Sequence, residues 1–348
     1  MTDLKVYTVS QVRDWLMHNQ APDGLTDEVI RPSLAWAIIH HPDVLDEDPI
    51  IASIYDNGIL AASTCAFPEV LEAPSFPDET GKQRRIWWFP MLWVKPDYRG
   101  KAYGLVAIGS LAEIYGVDCA WTAWAVPEAI EIFEYLGCKT YYMHRYFMGD
   151  KVIHLSSIRG KVASIKQSIT KWWLNFRKLA LPRYDYELRY LTHVDDATYR
   201  FICQHRKDSF IQSSCRVLNW RLHYPWDCSC SLSERVPRSG DYFADVHALI
   251  QHSFVQVWHK NSLVGVYKLD RSDHVSCDDL YYDEEASTIV FASVVEHLKR
   301  LGVTHFDTDN AQLKDFVQQY IYFPKVTTEN ISISVPPEVE VPAYIIQK

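Results

Sequence analysis

The chain has 348 residues, of which 48% are apolar, 14% aromatic and 23% charged, with a formal net charge of -9. That length exceeds one ordinary hydrophobic core and fits two domains of roughly 150 to 180 residues each, none of it poor enough in apolar residues to stay disordered. The acidic balance argues against a general nucleic-acid partner, and eight scattered cysteines without a Cys-x-x-Cys argue against zinc; no apolar run reaches membrane-spanning length, so a reducing cytoplasm is the expected compartment.

Read in chain order, the first 150 residues alternate strand and helix signals. Leu4 to Thr8 reads as a strand, and Val12 to Met17 and Val29 to Ile39 read as helices, the second with Pro32 near its start. Pro49 to Tyr55 and Ile59 to Phe67 flank Asp56-Asn57-Gly58, a turn sequence suited to positive φ and hence to a β-hairpin. Ile86 to Val94 is apolar on both alternating faces, which marks a central strand covered on both sides. A helix follows from Gly100 to Tyr115, closed by Gly116, and then strand Asp118 to Ala125, helix Pro127 to Leu136 and strand Thr140 to Met148.

Residues 151 to 184 hold eight Lys or Arg and no acidic residue. Val162, Ile165, Ile169, Trp172, Phe176 and Leu179 recur there at three- and four-residue spacing, so the segment is expected to be a basic amphipathic linker helix. Docking between the domains is the favoured role for residues 162–179. The alternative is a peripheral contact with an anionic membrane, into which Trp172, Trp173 and Phe176 would insert.

The region 185–348 repeats the outline more faintly. A polar helical stretch lies near residues 195–210, a hairpin runs from Phe254 to Leu269 around Lys260-Asn261, and helix Ser287 to Arg300, strand Thr304 to Thr308 and helix Ala311 to Gln319 follow. Superposing Gly302-Val303 on Gly116-Val117 aligns the preceding helices, which points to a divergent internal duplication.

The chemically telling stretch is Arg99-Gly100-Lys101-Ala102-Tyr103-Gly104, between the central strand and its helix. Such a turn offers free backbone N–H groups and the positive end of a helix dipole to an anion, and Arg99 and Lys101 add full charge suited to a pyrophosphate. Preceded by Val94-Lys95-Pro96-Asp97-Tyr98, it resembles the nucleotide-binding motif of the GNAT superfamily of N-acetyltransferases. That motif is usually Arg or Gln, two residues, Gly, one residue, then Gly or Ala. Gly104 matches its last position and Ala102 stands where the first Gly is usual. Downstream, Ala129 to Cys138 looks like the family's helix that ends in Leu-Gly-Phe, with Cys138 in place of Phe.

The resemblance implies an α/β (α+β) fold of tandem GNAT type, each domain a mixed, mostly antiparallel sheet flanked by helices. Residues 1–150 would bind acetyl-CoA in the gap between the fourth and fifth strands. The thioester carbonyl would accept an N–H near Met91 or Leu92, pantetheine would pair toward Val94, and Arg99, Gly100, Lys101, Ala102, Tyr103 and Gly104 would hold the pyrophosphate. The implied reaction is acetyl transfer to a primary amine of a small molecule, sugar or peptide.

Two departures bear on catalysis. Phe133 occupies the position where the family often has a Tyr to protonate the thiolate, and Val126 stands where an Asn is usual. Tyr135 lies two residues along the helix, about 200° around it. The candidate catalytic residues are Tyr135, His144 and Glu69, with His40, His41, Glu72 and a water relay also open as bases. In the second half, Glu285 aligns with Arg99, Thr288 with Ala102 and Val290 with Gly104, so residues 185–348 are expected to be a degenerate copy that shapes the acceptor site or supports the first. Tandem GNAT arrangements with one decayed copy, Fem-type aminoacyltransferases among them, resemble this layout. They leave aminoacyl or other acyl transfer, and a non-catalytic CoA-binding module, as alternatives.

The remaining signals have plainer readings. Trp87, Trp88, Trp93, Trp121 and Trp124 read first as core packing on two strands rather than an acceptor pocket. His40-His41 beside Pro42 reads as a helix end with solvent-exposed imidazoles. Cys228-x-Cys230 reads as incidental. Asn219 to Trp226 suits a sugar or peptide site and buried structure equally.

Overall fold

The computed structural model describes residues 1–70, 85–116, 119–123, 125–149, 181–206, 213–224, 251–271, 275–277, 279–337 and 346–347. The linker helix expected over 162–179 lies outside them, as do Glu72, Trp124, Trp226, Cys228 and Cys230.

The elements begin with β1 (Thr2–Thr8), α1 (Val9–His18), α2 (Pro32–Ile39), β2 (Pro49–Asp56), β3 (Ile59–Val70), β4 (Arg85–Val94) and α3 (Tyr103–Tyr115). They continue with β5 (Ala120–Ala123), α4 (Pro127–Tyr135), β6 (Lys139–Gly149), β7 (Glu187–Leu191), α5 (Asp196–His205), α6 (Cys215–His223), β8 (Gln251–His259) and β9 (Ser262–Arg271). Last come β10 (Val275–Cys277), β11 (Leu280–Tyr282), α7 (Ser287–Leu301), β12 (Phe306–Thr308), α8 (Ala311–Tyr320), β13 (Lys325–Val335) and β14 (Ile346–Gln347).

Local chemistry sets these boundaries. Thr8 and Gln11 form a capping box at the head of α1, and Asp195, Ser214 and Asn310 each accept a backbone N–H at the start of α5, α6 and α8. Gly116 and Gly302, at φ +93° and +63°, end α3 and α7. Both hairpins turn on two consecutive residues of positive φ, Asn57-Gly58 and Lys260-Asn261, the geometry that matches strand twist. Among the described residues no helix is long and apolar enough to cross a membrane.

The chain forms two compact units, residues 1–143 with 208–250 and 331–348, and residues 144–207 with 251–330. In the first, β1, β2, β3 and β4 run antiparallel in sequence order, and β5 joins β4 in parallel at Trp87↔Ala120 and Trp88↔Trp121. The end of β13 pairs with β5 at Ile333↔Ala123, and its Ser334 hydroxyl lies 3.0 Å from that of Thr140 on β6. The core of this unit gathers α1, α2, α3, α4 and α6 around that sheet, with Phe67, Phe133, Ile51 and Ile108 fully buried. Each such side chain is worth about 1.5–3 kcal/mol.

The second unit repeats the order. Its sheet runs β7, β8, β9, β10, β12 and then the end of β6, with β10 and β12 parallel at Val275↔Phe306 and β11 also on β9. The α7 and α8 helices cover it around Val290, Val294, Leu298 and Leu313. Arg145 and Asp307, each 3% exposed, form an ion pair between β6 and β12, with the Arg145 Nε donating at 2.6 Å. Burial makes that pair costly to break from one side.

Candidate functional site

Strand β4 determines what the first unit can offer a ligand. It is bonded to β3 along its length, but the register steps from Trp88↔Phe67 to Met91↔Cys65, so Phe89 and Pro90 oppose Ala66 alone in a β-bulge. Beyond the bulge the phase is fixed. Lys95 donates its N–H to Ala61, and the Thr64 hydroxyl donates to the Met91 carbonyl at 2.6 Å, so Lys95, Trp93 and Met91 turn their backbone polar groups toward β3. Leu92 and Val94 therefore turn theirs to the opposite edge. Strand β5 has left that edge: its pairing with β4 is at Trp87 and Trp88, and Thr122 reaches the Phe89 carbonyl by its hydroxyl, at 3.0 Å. Among the described residues no strand pairs with β4 on this side after Phe89. Of the two residues expected near a thioester, Leu92 presents its N–H to the open edge, whereas Met91 directs its main chain to β3.

The bulge also re-aims side chains. Trp87 stacks on Tyr115 and Phe89 packs edge-on against Phe133, both on the α3 and α4 side. After the bulge Leu92 and Val94 reach that side, where an added Cβ on Gly104 would lie 3.2 Å from Val94 and 3.4 Å from Leu92. A glycine lets the first turn of α3 approach β4 this closely without displacing Val94.

Between β4 and α3 the backbone makes a 3₁₀ turn at Pro96–Tyr98, an extended Arg99, Gly100 at φ +78° and Ala102 at φ +61°. The helix thus begins at Tyr103 rather than at the expected Gly100. Alanine in the left-handed region costs about 1–2 kcal/mol relative to ordinary backbone. Among the described residues the N–H groups of Gly100, Ala102, Tyr103, Gly104 and Leu105 have no intramolecular acceptor, the last three being the free donors of a helix start. Arg99 and Lys101 are exposed and face no carboxylate among the described residues; the Lys101 ammonium lies 4.6 Å from the Tyr98 ring centre. This corner is a set of donors and cations suited to a phosphate-bearing ligand.

The three residues considered for proton transfer have different local settings. Phe133 points inward at 1% exposure, while Tyr135 stands outward on α4 at 77%. Val126 caps α4 without a side-chain hydrogen bond. His144, exposed in the second unit, hydrogen-bonds through Nδ1 to Asn330. Glu69, near the end of β3, is buried, and its Oε1 accepts from Arg221 of α6 at 2.9 Å. Burial raises the Glu69 pKa from its ordinary value, with Arg221 opposing.

Beside Glu69 the structure corrects one expectation. His41 is not a solvent-exposed imidazole but is 3% exposed, with Trp220 against it edge-on at 4.5 Å and Phe67 at 5.6 Å. Its Nδ1 accepts the Asp43 N–H, and burial, then Arg221, Arg85 and Arg216, push its pKa down to about 3. His40, half-buried, stacks on Tyr224. The run beginning at Asn219 proves structural in part, because Trp220 is buried in the core and donates to the Ala37 carbonyl at 2.8 Å. Trp87, Trp93 and Trp121 are buried as core, and Trp88 packs on Phe67 and Trp121. Arg221, Glu69's partner, carried no sequence signal of that role, since 152 positions separate the two.

The corresponding corner of the second unit is built differently. After β11, a 3₁₀ turn at Glu284–Ala286 leads into α7, and Asp283 caps it by accepting the Glu285 N–H at 3.2 Å. Glu284 and Glu285 make the corner negative. Val290, opposite Gly104 in the alignment, packs so tightly on Gly265 of β9 that a Cβ there would come within 2.5 Å of it.

No family model and no curated protein matches the sequence. Among solved structures, the chain is similar to a putative acetyltransferase from Pyrococcus horikoshii, at 11% identity and a TM-score of 0.52, over 99% of this chain and 92% of that one. It is also similar to a tandem GNAT protein from the clavulanic acid biosynthesis pathway, at 11% identity and a TM-score of 0.50, over 96% of this chain and 98% of that one. At such identities the likeness is one of fold.

Proposed function

Because this chain has the tandem GNAT fold, we propose that its first unit binds acetyl-CoA and transfers the acetyl group to a primary amine by direct attack. The observation that carries the proposal is the corner at residues 99–105, where among the described residues five N–H groups are unanswered and two cations have no carboxylate partner, beside a strand edge that none of the described strands occupies. Arg99, Lys101 and the N–H groups of Gly100 and Ala102 to Leu105 would hold the pyrophosphate. Val94 would pair with the pantetheine amide, and the Leu92 N–H would donate to the thioester oxygen as negative charge develops there.

The amine nitrogen forms its bond to the carbonyl carbon, the carbon–sulfur bond breaks, and the sulfur leaves as thiolate. With a buried Phe133 at the position where the resemblance puts a Tyr proton donor, solvent would take the proton from nitrogen and supply one to sulfur. The rate should then rise with pH until the acceptor amine is deprotonated. The second unit is assigned a supporting role, because Glu284 and Glu285 at its corner would repel a pyrophosphate.

A thiol-release assay with acetyl-CoA against a panel of primary amines tests this. The expected result is turnover with at least one amine, reduced at least tenfold in Arg99→Glu. The absence of Tyr at position 133 favours a second reading, CoA binding without transfer. Tight acetyl-CoA binding with no thiol release from any amine would replace the first reading by that one.

A further inference from the structure

Threonine hydroxyls hold β4 from both sides. Thr64, on β3 and opposite Leu92, donates to the Met91 carbonyl at 2.6 Å, and Thr122, on β5, donates to the Phe89 carbonyl at 3.0 Å. Both residues are buried, Thr64 fully. Valine has the same branched shape and a similar preference for strands, and a buried hydroxyl is costly unless bonded. What distinguishes threonine at these positions is therefore the bond its hydroxyl makes.

The two bonded carbonyls differ in what lies across the peptide. The Met91 carbonyl and the Leu92 N–H belong to one planar trans amide and point in opposite directions, the carbonyl to β3 and the N–H to the open edge. A hydrogen bond accepted by an amide carbonyl draws electron density from the nitrogen of the same amide, whose N–H becomes a stronger donor; bonds linked in this way reinforce one another by roughly 10–30% each. The Phe89 carbonyl is instead joined to the nitrogen of Pro90, which bears no hydrogen, so the Thr122 hydroxyl has no donor behind it to strengthen. With Pro90 lacking an N–H and Met91 turned to β3, Leu92 carries the first N–H that β4 presents to this edge beyond Phe89.

We propose that Thr64 is a positioning residue for the transfer: its hydroxyl orients and polarises the peptide whose Leu92 N–H meets the thioester oxygen. This rests on the acetyl-CoA reading above and adds to it the residue behind the donor. Thr64 keeps its own proton throughout. Because charge on the thioester oxygen grows as the amine attacks, the hydroxyl acts on the rate of transfer more than on the binding of acetyl-CoA.

The test is the carbon-13 NMR shift of acetyl-CoA labelled at its carbonyl carbon and bound to the full chain. A stronger hydrogen bond to the oxygen moves that resonance downfield. Wild type should move it downfield from its position in free acetyl-CoA, Thr64→Val should lose at least half of that shift, and Thr64→Ser, which keeps the hydroxyl, should restore it. Thr122→Val removes a buried hydroxyl from a β4 carbonyl with no N–H behind it and should leave the shift as in wild type. With an amine that turns over, kcat should fall about three- to tenfold in Thr64→Val, less than the roughly hundredfold or more that loss of an oxyanion donor itself costs, while KM for acetyl-CoA stays within about twofold. Should Thr64→Val not fold, Thr64→Cys, whose thiol is a weak donor, carries the same expectation. A wild-type carbonyl that does not shift on binding, a Thr64→Val that keeps the whole shift, or a Thr122→Val that loses as much would overturn the role of Thr64 and leave acetyl-CoA binding intact. Wild-type protein that binds no acetyl-CoA defeats the reading on which this inference rests.

Discussion

In the first unit the corner after β4 leaves five N–H groups unanswered and Arg99 and Lys101 without carboxylates among the described residues, and places Gly104 where α3 meets Val94 and Leu92. In the second, the corner after β11 is capped by its own Asp283, carries Glu284 and Glu285, and puts a bulky Val290 on the helix with the glycine, Gly265, on the strand. The strand-turn-helix frame is the same. Helix and strand approach closely in both, with the glycine on the helix in the first unit and on the strand in the second. An acidic corner supports a fold as well as a basic one, but only the basic one suits a diphosphate.

The largest expected effect separates the two units by their buried histidines. Burial disfavours the charged form of both His41 and His297, followed by Arg221, Arg85 and Arg216 for the first and by Arg300 for the second. For His41 the unfolded chain takes up a proton near pH 6.5 and the folded one only near about 3, so the unfolded state holds more protons in between. Stability should therefore fall as pH drops from 6.5 toward 3, by about 4 kcal/mol from this group. Glu69 acts in the opposite sense: its folded pKa is raised, so the native state takes its proton first and gains stability as pH falls through that value. Urea unfolding of wild type and His41→Phe across this range isolates the histidine. A wild-type acid slope that the variant keeps would contradict the burial account.

Next in size is an exchange between the corners. Gly104→Val, which gives the first unit the residue of the second, should cost about 1–3 kcal/mol by overpacking against Val94 and Leu92, and should weaken CoA. Val290→Gly should cost at least as much through the cavity and the lost helix propensity, with CoA affinity unchanged. Chemical denaturation and CoA titration of both variants check this; a loss of CoA affinity in Val290→Gly would blur the contrast. The smallest effect is at Ala102, held at φ +61°. Ala102→Gly should stabilise the protein by about 1 kcal/mol without weakening CoA, and a destabilised variant would mean that the left-handed turn is not under strain.

Much of this frame was legible in the residues. The alternation of Ile86 to Val94, the Asn57-Gly58 and Lys260-Asn261 turns, and the glycines after α3 and α7 each state a local requirement that the fold meets. Strand β13 was not legible. Its first half, Lys325 to Asn330, is polar and largely exposed, and only Ile331, Ile333 and Val335 enter a core, beside strands more than 190 positions earlier in the chain. Helix α6 escaped for a similar reason, since Trp220 and Arg221 gain meaning only against Ala37, His41 and Glu69. The corner at 99–104 could be read because its chemistry is carried by consecutive residues. The cluster of Glu69, His41 and Arg221 could not, because it is assembled from three distant segments.

The measurement closest to the central claim is a calorimetric titration of coenzyme A into the full chain and into Arg99→Glu. A dissociation constant in about the micromolar range for wild type, weakened at least tenfold in the variant while its unfolding midpoint is unchanged, is the result expected. Wild-type protein that takes up no coenzyme A, or a variant that binds it as tightly as wild type, would contradict the assignment of residues 99–104 to a diphosphate.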